Sequence, residues 1–165
     1  PLTGLANRVL FLDRLRQALG RLERSGGVVG VLFLDLDDFK ALNDRAGHRA
    51  GDELLTALAQ RLQAAVRAGE TLARLSGDEF AVVVEGTDYS APMTTAQRLL
   101  DMLQVPFSFP QKQAFVHASV GVATTSDRAC SADILLHRAD LAMYAAKRAG
   151  KNCYEVYPEE LAAVS

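Results

Sequence analysis

Three acidic residues lie at two points of the chain where a predicted strand ends or turns. Asp35 follows the apolar run 28–34, which is typical of a strand buried on both faces, and Asp78 and Glu79 lie in a short turn between two further predicted strands. A strand end and a neighbouring hairpin tip can converge in a small sheet, and three carboxylates meeting there would repel one another unless a cation lay between them. Carboxylates suit Mg²⁺, which completes its shell with phosphate oxygens and water. The pattern predicts a site for a metal ion and a triphosphate.

A structural interpretation of these acidic segments stays open at this point. Asp and Glu are common in turns, and Asp37 or Asp38 can cap the helix that is predicted to follow. Gly77 has access to backbone angles closed to other residues and lets a ligand approach the turn closely. A serine and a glycine in a turn are nevertheless a weak signal, so the metal site needs support from other parts of the chain.

Two further groups of polar residues have types and spacing that fit a nucleotide. Lys147 and Lys151 lie four residues apart near the end of the last long predicted helix, where they either hold phosphate or form a solvated face. Asn43 and Asp52 lie where predicted helix and turn alternate, and a carboxylate can accept the N1 and N2 hydrogens of guanine. The alternative is that they cap helices or form turns. We expect His48, between them, to be a buried structural residue.

The hydrophobic periodicity predicts the elements that must position these side chains. Helices are expected at 7–24, 39–45, 90–104 and 131–149, and a further helix is expected to follow a turn marked by Gly47 and Gly51 and to end at about 66. Strands are expected at 28–34, 71–75, 80–84 and 153–157. A looser hairpin is expected over 107–124. This mixture of helices and strands favours an α/β domain whose central sheet carries helices on one face.

The composition restricts the class of protein. The chain has 165 residues with a net charge of −2, and the absence of a basic block argues against a nucleic-acid binder. Its apolar runs are too short to cross a bilayer and no signal-peptide pattern begins it, so we expect a cytoplasmic domain without membrane contact of its own. Membrane anchoring of a full-length protein through other segments stays open. Cys130 and Cys153 lack metal-ligand spacing and are expected to be structural thiols.

Taken together, these motifs resemble the GGDEF family, the diguanylate cyclases. The matching segments in chain order are LTGLANR at 2–8, DLDDFKALND at 35–44, GH at 47–48, GD at 51–52, RLSGDEF at 74–80, ASVGVA at 118–123 and ADLAMYAAK at 139–147. The resemblance covers residues 2–157 and implies one domain over 1–165, with 158–165 a tail or the start of a linker. It implies a ferredoxin-like nucleotidyl-cyclase palm, with a central, mainly antiparallel sheet flanked by helices.

The resemblance also implies roles for individual residues. The catalytic centre would be Asp35, Asp78 and Glu79, with Mg²⁺, or Mn²⁺ as a substitute, bound by these residues and the main-chain carbonyl of Leu36. The nucleotide would be held by Asp38, Phe39, Lys40, Asn43, Asp52, Ser76, Gly77, Lys147 and Lys151. Within that set, Asn43 and Asp52 would read guanine, while the lysines and the main chain at Asp38 and Phe39 would hold phosphates.

The activity that the resemblance implies is the condensation of two GTP molecules into cyclic di-GMP with release of two pyrophosphates, for bacterial second-messenger signalling. Each domain supplies one GTP, so catalysis would need a homodimer, and sensory or phosphodiesterase domains would flank this one in a full-length protein. The alternative is a catalytically weak or inactive module that binds GTP and regulates a neighbouring phosphodiesterase domain.

Three departures from the family pattern bear on this choice. Ser76 replaces the first glycine of the signature. We expect Ser76 to lower turnover without abolishing it, and GTP binding to survive. At a positive φ serine would strain the turn, whereas in extended backbone it costs little and its hydroxyl can bond a ribose or phosphate oxygen. Lys151 stands where the family usually has arginine. Arg67 and Glu70 stand where the family has an Arg-x-x-Asp product-inhibition site, and the longer glutamate predicts weak inhibition.

Overall fold

The structure is a computed structural model that describes residues 2–109 and 112–158. The helices are α1 (Arg8–Ser25), α2 (Phe39–Ala46), α3 (His48–Ala65), α4 (Ser90–Leu103) and α5 (Ala132–Arg148), and the strands are β1 (Val28–Leu36), β2 (Thr71–Ser76), β3 (Glu79–Gly86), β4 (Phe107–Phe109), β5 (Lys112–Ala114), β6 (Ala118–Thr125) and β7 (Cys153–Val156). Within these described ranges, no helix combines the length and apolarity needed to cross a membrane. Residues 159–165, most of the predicted tail or linker, lie outside the described part.

Five strands form one sheet in the order β2-β3-β1-β6-β7. The central strand β1 pairs antiparallel with β3 and with β6, and β2 pairs antiparallel with β3. At the other edge β7 pairs parallel with β6. The predicted class, a mixed α/β domain with a mainly antiparallel sheet flanked by helices, is therefore confirmed.

Helices cover both faces of this sheet, whereas the sequence analysis placed them on one. Helices α1 and α5 pack on one face, where Phe11 and Met143 are fully buried. Helices α3 and α4 pack on the other, where Leu58 and Leu99 are fully buried. The reason lies in β1: successive side chains of a strand point to opposite faces, and every residue of 28–34 is buried, so both faces are apolar and need cover.

The predicted hairpin over 107–124 is in fact two separate elements. Strands β4 and β5 pair only with each other, in a small two-stranded sheet, while β6 joins the central sheet beside β1. All eight residues of β6 are buried, so this strand needs the covered position next to β1 rather than a place in an exposed hairpin.

Helix α3 starts at His48, directly after Gly47, so Gly51 lies inside a helix and not in the predicted turn. Gly51 is buried, and a side chain there would clash with the side chain of Asn43, so the glycine allows α2 and α3 to pack closely. His48 is exposed, and the expectation that it is buried is wrong, because residues 47–49 at the start of α3 all face solvent.

Helix α5 packs unusually close to the sheet where it crosses Gly121 on β6. A side chain at Gly121 would overlap the main chain of α5 at Ala139 and Met143. The helix starts as predicted at Ser131, whose hydroxyl accepts a hydrogen bond from the Ile134 N–H at 3.2 Å. This close packing brings the last turn of α5 to the end of β1, where the acidic residues lie.

Candidate active site

The end of β1 and the turn between β2 and β3 converge, as the sequence analysis predicted. Asp35 on β1 lies directly opposite Glu79 on β3 in the antiparallel register. The Leu36 N–H donates to the main-chain carbonyl of Asp78 at 3.3 Å, which fixes the turn against the strand end. Asp78 and Glu79 are half-buried. Three acidic side chains therefore share one corner of the sheet.

Asp35 carries the electrostatic cost of this convergence. Its side chain is 18% exposed, and its Oδ1 is buried without a hydrogen-bond partner. Burial raises the pKa of Asp35 to about 7, and the neighbouring Asp78 carboxyl raises it as well, through a hydrogen bond to Asp35 and through its charge. The ammonium group of Lys147 opposes this shift, and the charge of Glu79 adds a smaller increase. The corner therefore holds more negative charge than its own residues can neutralise.

The donor set at this corner fits a hard divalent cation. Within the described residues, no group of three or more His, Cys, Asp or Glu side chains is already arranged as a metal cage. Mg²⁺ does not require such a cage, because it typically binds one or two carboxylates and takes its other ligands from phosphate and water. The buried Oδ1 of Asp35, which lacks a partner, is an oxygen ligand of the required kind.

The turn itself is held by hydrogen bonds on both sides. The Arg74 guanidinium donates through Nε to the Gly77 carbonyl at 2.9 Å, and the Ser76 hydroxyl donates to the Glu79 carboxylate. The one positive φ of the turn falls on Gly77, at 29°. Ser76 is thus free of left-handed strain, which decides between the two cases that the sequence left open.

The loop after β1 does not use its carboxylates as helix caps, so the structural interpretation that stayed open for Asp37 or Asp38 is wrong. Asp37 accepts from the Ser119 hydroxyl at 2.7 Å and from the Asn152 N–H at 3.0 Å. Asp38 occupies the N-cap position of α2 with a φ of 60°, but its side chain makes no cap hydrogen bond. Its carboxylate accepts instead from Lys151 Nζ at 2.9 Å.

Two of the lysines predicted to hold phosphate, Lys147 at the end of α5 and Lys151 just after it, reach this loop. Lys147 Nζ lies 3.3 Å from Asp37 Oδ1 and 3.6 Å from Asp35 Oδ2. Lys151 follows α5 and is paired with Asp38, a hydrogen bond that lowers the pKa of the Asp38 carboxyl and raises that of the lysine. In the free protein the two ammonium groups are therefore balanced by loop carboxylates beside the acidic corner.

The two residues predicted to read guanine, Asn43 and Asp52, lie on the consecutive helices α2 and α3. Asn43 on α2 is half-buried, and its Oδ1 is buried against Gly51 without a hydrogen-bond partner. Asp52 on α3 is exposed and lines a cleft of about 450 Å³ together with Leu2. Asn43 packs against Gly51, the residue before Asp52, so the two predicted guanine ligands lie on neighbouring segments.

The remaining predicted residues lie in α2. Phe39 is buried at the start of the helix and packs into the core, so only its main chain can face a ligand. Lys40 is exposed in the first turn. The first turn of a helix presents unpaired N–H groups, which favour an anion.

Arg67 and Glu70 lie at the opposite end of β2 from the acidic turn. Glu70 is anchored there: its carboxylate accepts from Arg98 at 2.8 Å, from the Thr95 hydroxyl at 2.8 Å and from the Arg67 N–H at 2.6 Å. These groups line a cavity of about 320 Å³. Sequence reasoning missed Arg98 and Thr95, which belong to α4 and carry no local signal of contact with Glu70.

Sequence reasoning also missed Asp140 as a neighbour of the acidic corner. Burial raises the pKa of this α5 carboxyl, and the charge of Glu79 raises it further. The signal was present, because Asp140 and Lys147 are seven residues apart and share a helix face.

The family profile described as "Diguanylate cyclase, GGDEF domain" matches residues 1–153. The chain belongs to the GGDEF domain family.

Relatives and solved structures agree with this assignment. MucR of Pseudomonas aeruginosa, named a bifunctional diguanylate cyclase/cyclic di-GMP phosphodiesterase, is 41% identical over 153 residues, which are 93% of this chain and 22% of MucR. The GGDEF domain of YfiN from Pseudomonas aeruginosa has a TM-score of 0.90 at 34% identity, covering 94% of this chain and 98% of that one. The GGDEF domain of DgcB from Caulobacter crescentus, in complex with c-di-GMP, has a TM-score of 0.85 at 29% identity, covering 95% and 91%. The chain spans 20% to 53% of the length of the first curated relatives that it matches.

Proposed function

We propose that this domain is a diguanylate cyclase, which condenses two GTP molecules into cyclic di-GMP and releases two pyrophosphates. One observation carries the proposal: Asp35, Asp78 and Glu79 converge on a corner where a buried carboxylate oxygen has no partner and burial and like charge raise the pKa of Asp35 to about 7. Such a corner is costly for the protein alone and becomes favourable when a cation binds.

The cation in this proposal is Mg²⁺, for which Mn²⁺ can substitute, and GGDEF cyclases in general use a divalent metal. The ligands would be the carboxylates of Asp35 and Asp78 and the main-chain carbonyl of Leu36, with Glu79 in the same centre. When bound, the ion supplies Lewis-acid stabilisation of phosphate charge and lowers the pKa of a coordinated hydroxyl. The hard oxygen donors at this corner suit such an ion.

The chain's own groups would bind and orient the nucleotide. Lys147 and Lys151 would move from their loop carboxylates to the phosphates, which offer a higher density of negative charge. The main chain at Asp38 and Phe39, with Lys40 in the same helical turn, would hold the distal phosphates. Asn43 and Asp52 would hydrogen-bond the guanine edge, and Gly77 would allow close approach of the nucleotide to the turn.

The reaction needs two copies of the domain. The 3′-hydroxyl oxygen of one GTP attacks the α-phosphorus of the other, a new P–O bond forms, and the bond from the α-phosphorus to the bridging oxygen breaks so that pyrophosphate leaves. The hydroxyl proton is lost to solvent or to a basic oxygen at the acidic corner. A second, symmetric step closes the ring. Because each domain would hold one GTP, the catalytic unit is a homodimer in the face-to-face arrangement.

The same proposal places the domain in the cytoplasm, where GTP is available, within a longer signalling protein. The coverage of MucR supports flanking domains, because this chain spans about a fifth of that bifunctional protein. Regulation of a neighbouring phosphodiesterase by an inactive domain is not favoured. All three acidic residues are retained, and Ser76 introduces no left-handed strain into the turn.

Incubation of the purified domain with GTP and Mg²⁺, followed by mass spectrometry of the nucleotides, tests the proposal. We expect cyclic di-GMP and pyrophosphate from the wild type and at least a hundredfold less from Asp78→Asn, since removing a group that stabilises transition-state charge costs several kcal/mol. Asp13→Asn on the exposed face of α1 is the matched control and should keep full activity. A wild type that makes no product at high protein concentration, or an active Asp78→Asn, would reject the proposed centre.

A further inference from the structure

The serine that replaces the first signature glycine makes a contact that glycine cannot make. Ser76 closes β2 and pairs across the turn with Glu79, the first residue of β3, after a shift in register between Arg74 and Ser76. Its hydroxyl donates to Oε1 of the Glu79 carboxylate. The contact therefore joins the two ends of the turn that carries the acidic pair.

The backbone accommodates this side chain without strain. Positive φ among the described non-glycine residues occurs at Asp38, Lys151 and Asn152, and within the turn it falls on Gly77. The Arg74 side chain braces the turn independently through the Gly77 carbonyl, at 2.9 Å. Loss of the serine hydroxyl should therefore leave the path of the turn unchanged and act on the Glu79 side chain.

Glu79 gains from such a partner because two other acidic residues lie close to it. Asp35 lies opposite it in the register, and the charge of Glu79 is felt both at Asp35 and at Asp140 on α5. Like charges on two sides would turn the carboxylate out toward solvent, where it would sample several rotamers. A hydrogen bond from Ser76 offsets this repulsion and restricts the side chain to one orientation.

The same contact argues against a direct role of the serine in holding nucleotide. A serine hydroxyl has one proton to donate, and Ser76 gives it to Glu79. A phosphate or ribose oxygen would have to compete with the Glu79 carboxylate for that hydrogen bond. The favoured role is thus an indirect one.

We infer that Ser76 is a positioning residue, which holds the Glu79 carboxylate in the orientation that the acidic corner uses. This inference rests on the proposed cyclase activity. It predicts that the Ser76 hydroxyl raises turnover. The alternative is that the turn only accommodates a side chain where the family has glycine, in which case the hydroxyl would have no effect.

Three substitutions at Ser76 separate the hydroxyl from the backbone. Ser76→Ala and Ser76→Gly both remove the hydroxyl, and each should lower kcat about tenfold with an unchanged KM for GTP, the loss expected for one hydrogen bond to a charged group. Ser76→Thr keeps the hydroxyl and should restore kcat to near the wild-type value. Ser126→Ala is the control, since it removes an exposed serine hydroxyl, paired with Tyr89, at the far end of the sheet. Circular dichroism melting of each variant checks that it is folded.

Each result decides the matter. Equal kcat for wild type, Ser76→Ala and Ser76→Thr would overturn the inference, as would a change confined to KM, which would place the hydroxyl on the nucleotide. A Ser76→Gly variant faster than wild type would also overturn it, because the side chain would then hinder the turn.

A second readout keeps the inference testable if the proposed activity itself fails. Binding of Mn²⁺ can be titrated in the presence of 3′-deoxy-GTP, which lacks the attacking hydroxyl and cannot react. We expect Ser76→Ala to bind Mn²⁺ several-fold more weakly than wild type and Ser76→Thr to bind it equally well. A wild type that makes no cyclic di-GMP would then count against the cyclase proposal alone, whereas identical Mn²⁺ affinities in all three proteins would count against the role of Ser76.

Discussion

The ammonium nitrogen of Lys147 lies 3.3 Å from Oδ1 of Asp37, a carboxylate whose side chain is only 4% exposed. Asp37 also accepts from the Ser119 hydroxyl and from the Asn152 N–H, so it ties the end of α5 to the sheet. Burying a carboxylate is costly unless such donors pair with it. The lysine is thus held beside the acidic corner before any ligand arrives.

Replacement of Lys147 by methionine should raise the KM for GTP about tenfold or more, because a charged hydrogen bond to phosphate is worth about 1.5–3 kcal/mol. Lys151→Met should have a smaller effect, since that side chain is 43% exposed and more strongly screened. Steady-state kinetics at saturating Mg²⁺ measures both. Arg148→Met, exposed in the same last turn of α5, is the control. An unchanged KM in Lys147→Met would remove the lysine from the phosphate site.

The metal-free domain should lose stability as the pH rises toward neutrality, relative to an Asp35→Asn variant. Folding raises the pKa of Asp35 from its ordinary value of 3.8 to about 7, so between these values the folded state binds more protons than the unfolded state. The stability that protonated Asp35 contributes is therefore present in full below pH 3.8, its ordinary pKa, and is lost as the pH rises through about 7, its pKa in the folded domain.

Urea unfolding in the presence of EDTA, from about pH 4 to pH 8, measures this linkage. The difference in unfolding free energy between wild type and Asp35→Asn should fall across that range, and added Mg²⁺ should oppose the fall in the wild type only. A difference that stays constant with pH would show that Asp35 titrates normally in the folded domain.

Product inhibition should be weak. The Glu70 carboxylate already accepts from Arg98, Thr95 and the Arg67 N–H, and a guanine of a cyclic dinucleotide would have to compete with these donors for its oxygens. We expect micromolar or weaker affinity for cyclic di-GMP by calorimetry, and tighter binding by Glu70→Asp, whose shorter side chain cannot keep all three contacts. Sub-micromolar binding by the wild type that is lost in Arg67→Ala would contradict this expectation.

Specific activity should rise with protein concentration. One domain would hold one GTP, so product formation requires an encounter between two domains, and its rate then depends on the square of the concentration when dimers are scarce. Initial rates at saturating GTP, measured from nanomolar to micromolar protein, test this. Specific activity that does not change on dilution would indicate either a stable dimer or a reaction within one chain, and gel filtration at the same concentrations separates the two.

Much of the local structure could be predicted from short segments of the sequence. The apolar run 28–34 predicts a strand covered on both faces, and β1 is such a strand. The turn containing Asp78 and Glu79 is short enough that a hairpin is the natural outcome. Ser131 predicts the start of α5 through its capping side chain. In each case the determining interactions lie within a few residues of one another, so the local order of residue types is enough to predict the element.

The contacts that complete the site were decided by the tertiary structure. Asp37 and Asp38 look like helix caps in the sequence, yet their partners are Lys147, Asn152 and Lys151, more than a hundred residues away. Likewise, no local pattern indicates that Arg98 holds Glu70. A short acidic side chain can satisfy its oxygens in many ways, and its own segment does not determine which donors the folded sheet and helices bring within reach. The sequence by itself determined the strands, the acidic turn and the family, because these depend on residue types in order; the pairing of charges around the corner depended on α5 packing against Gly121 and the end of β1.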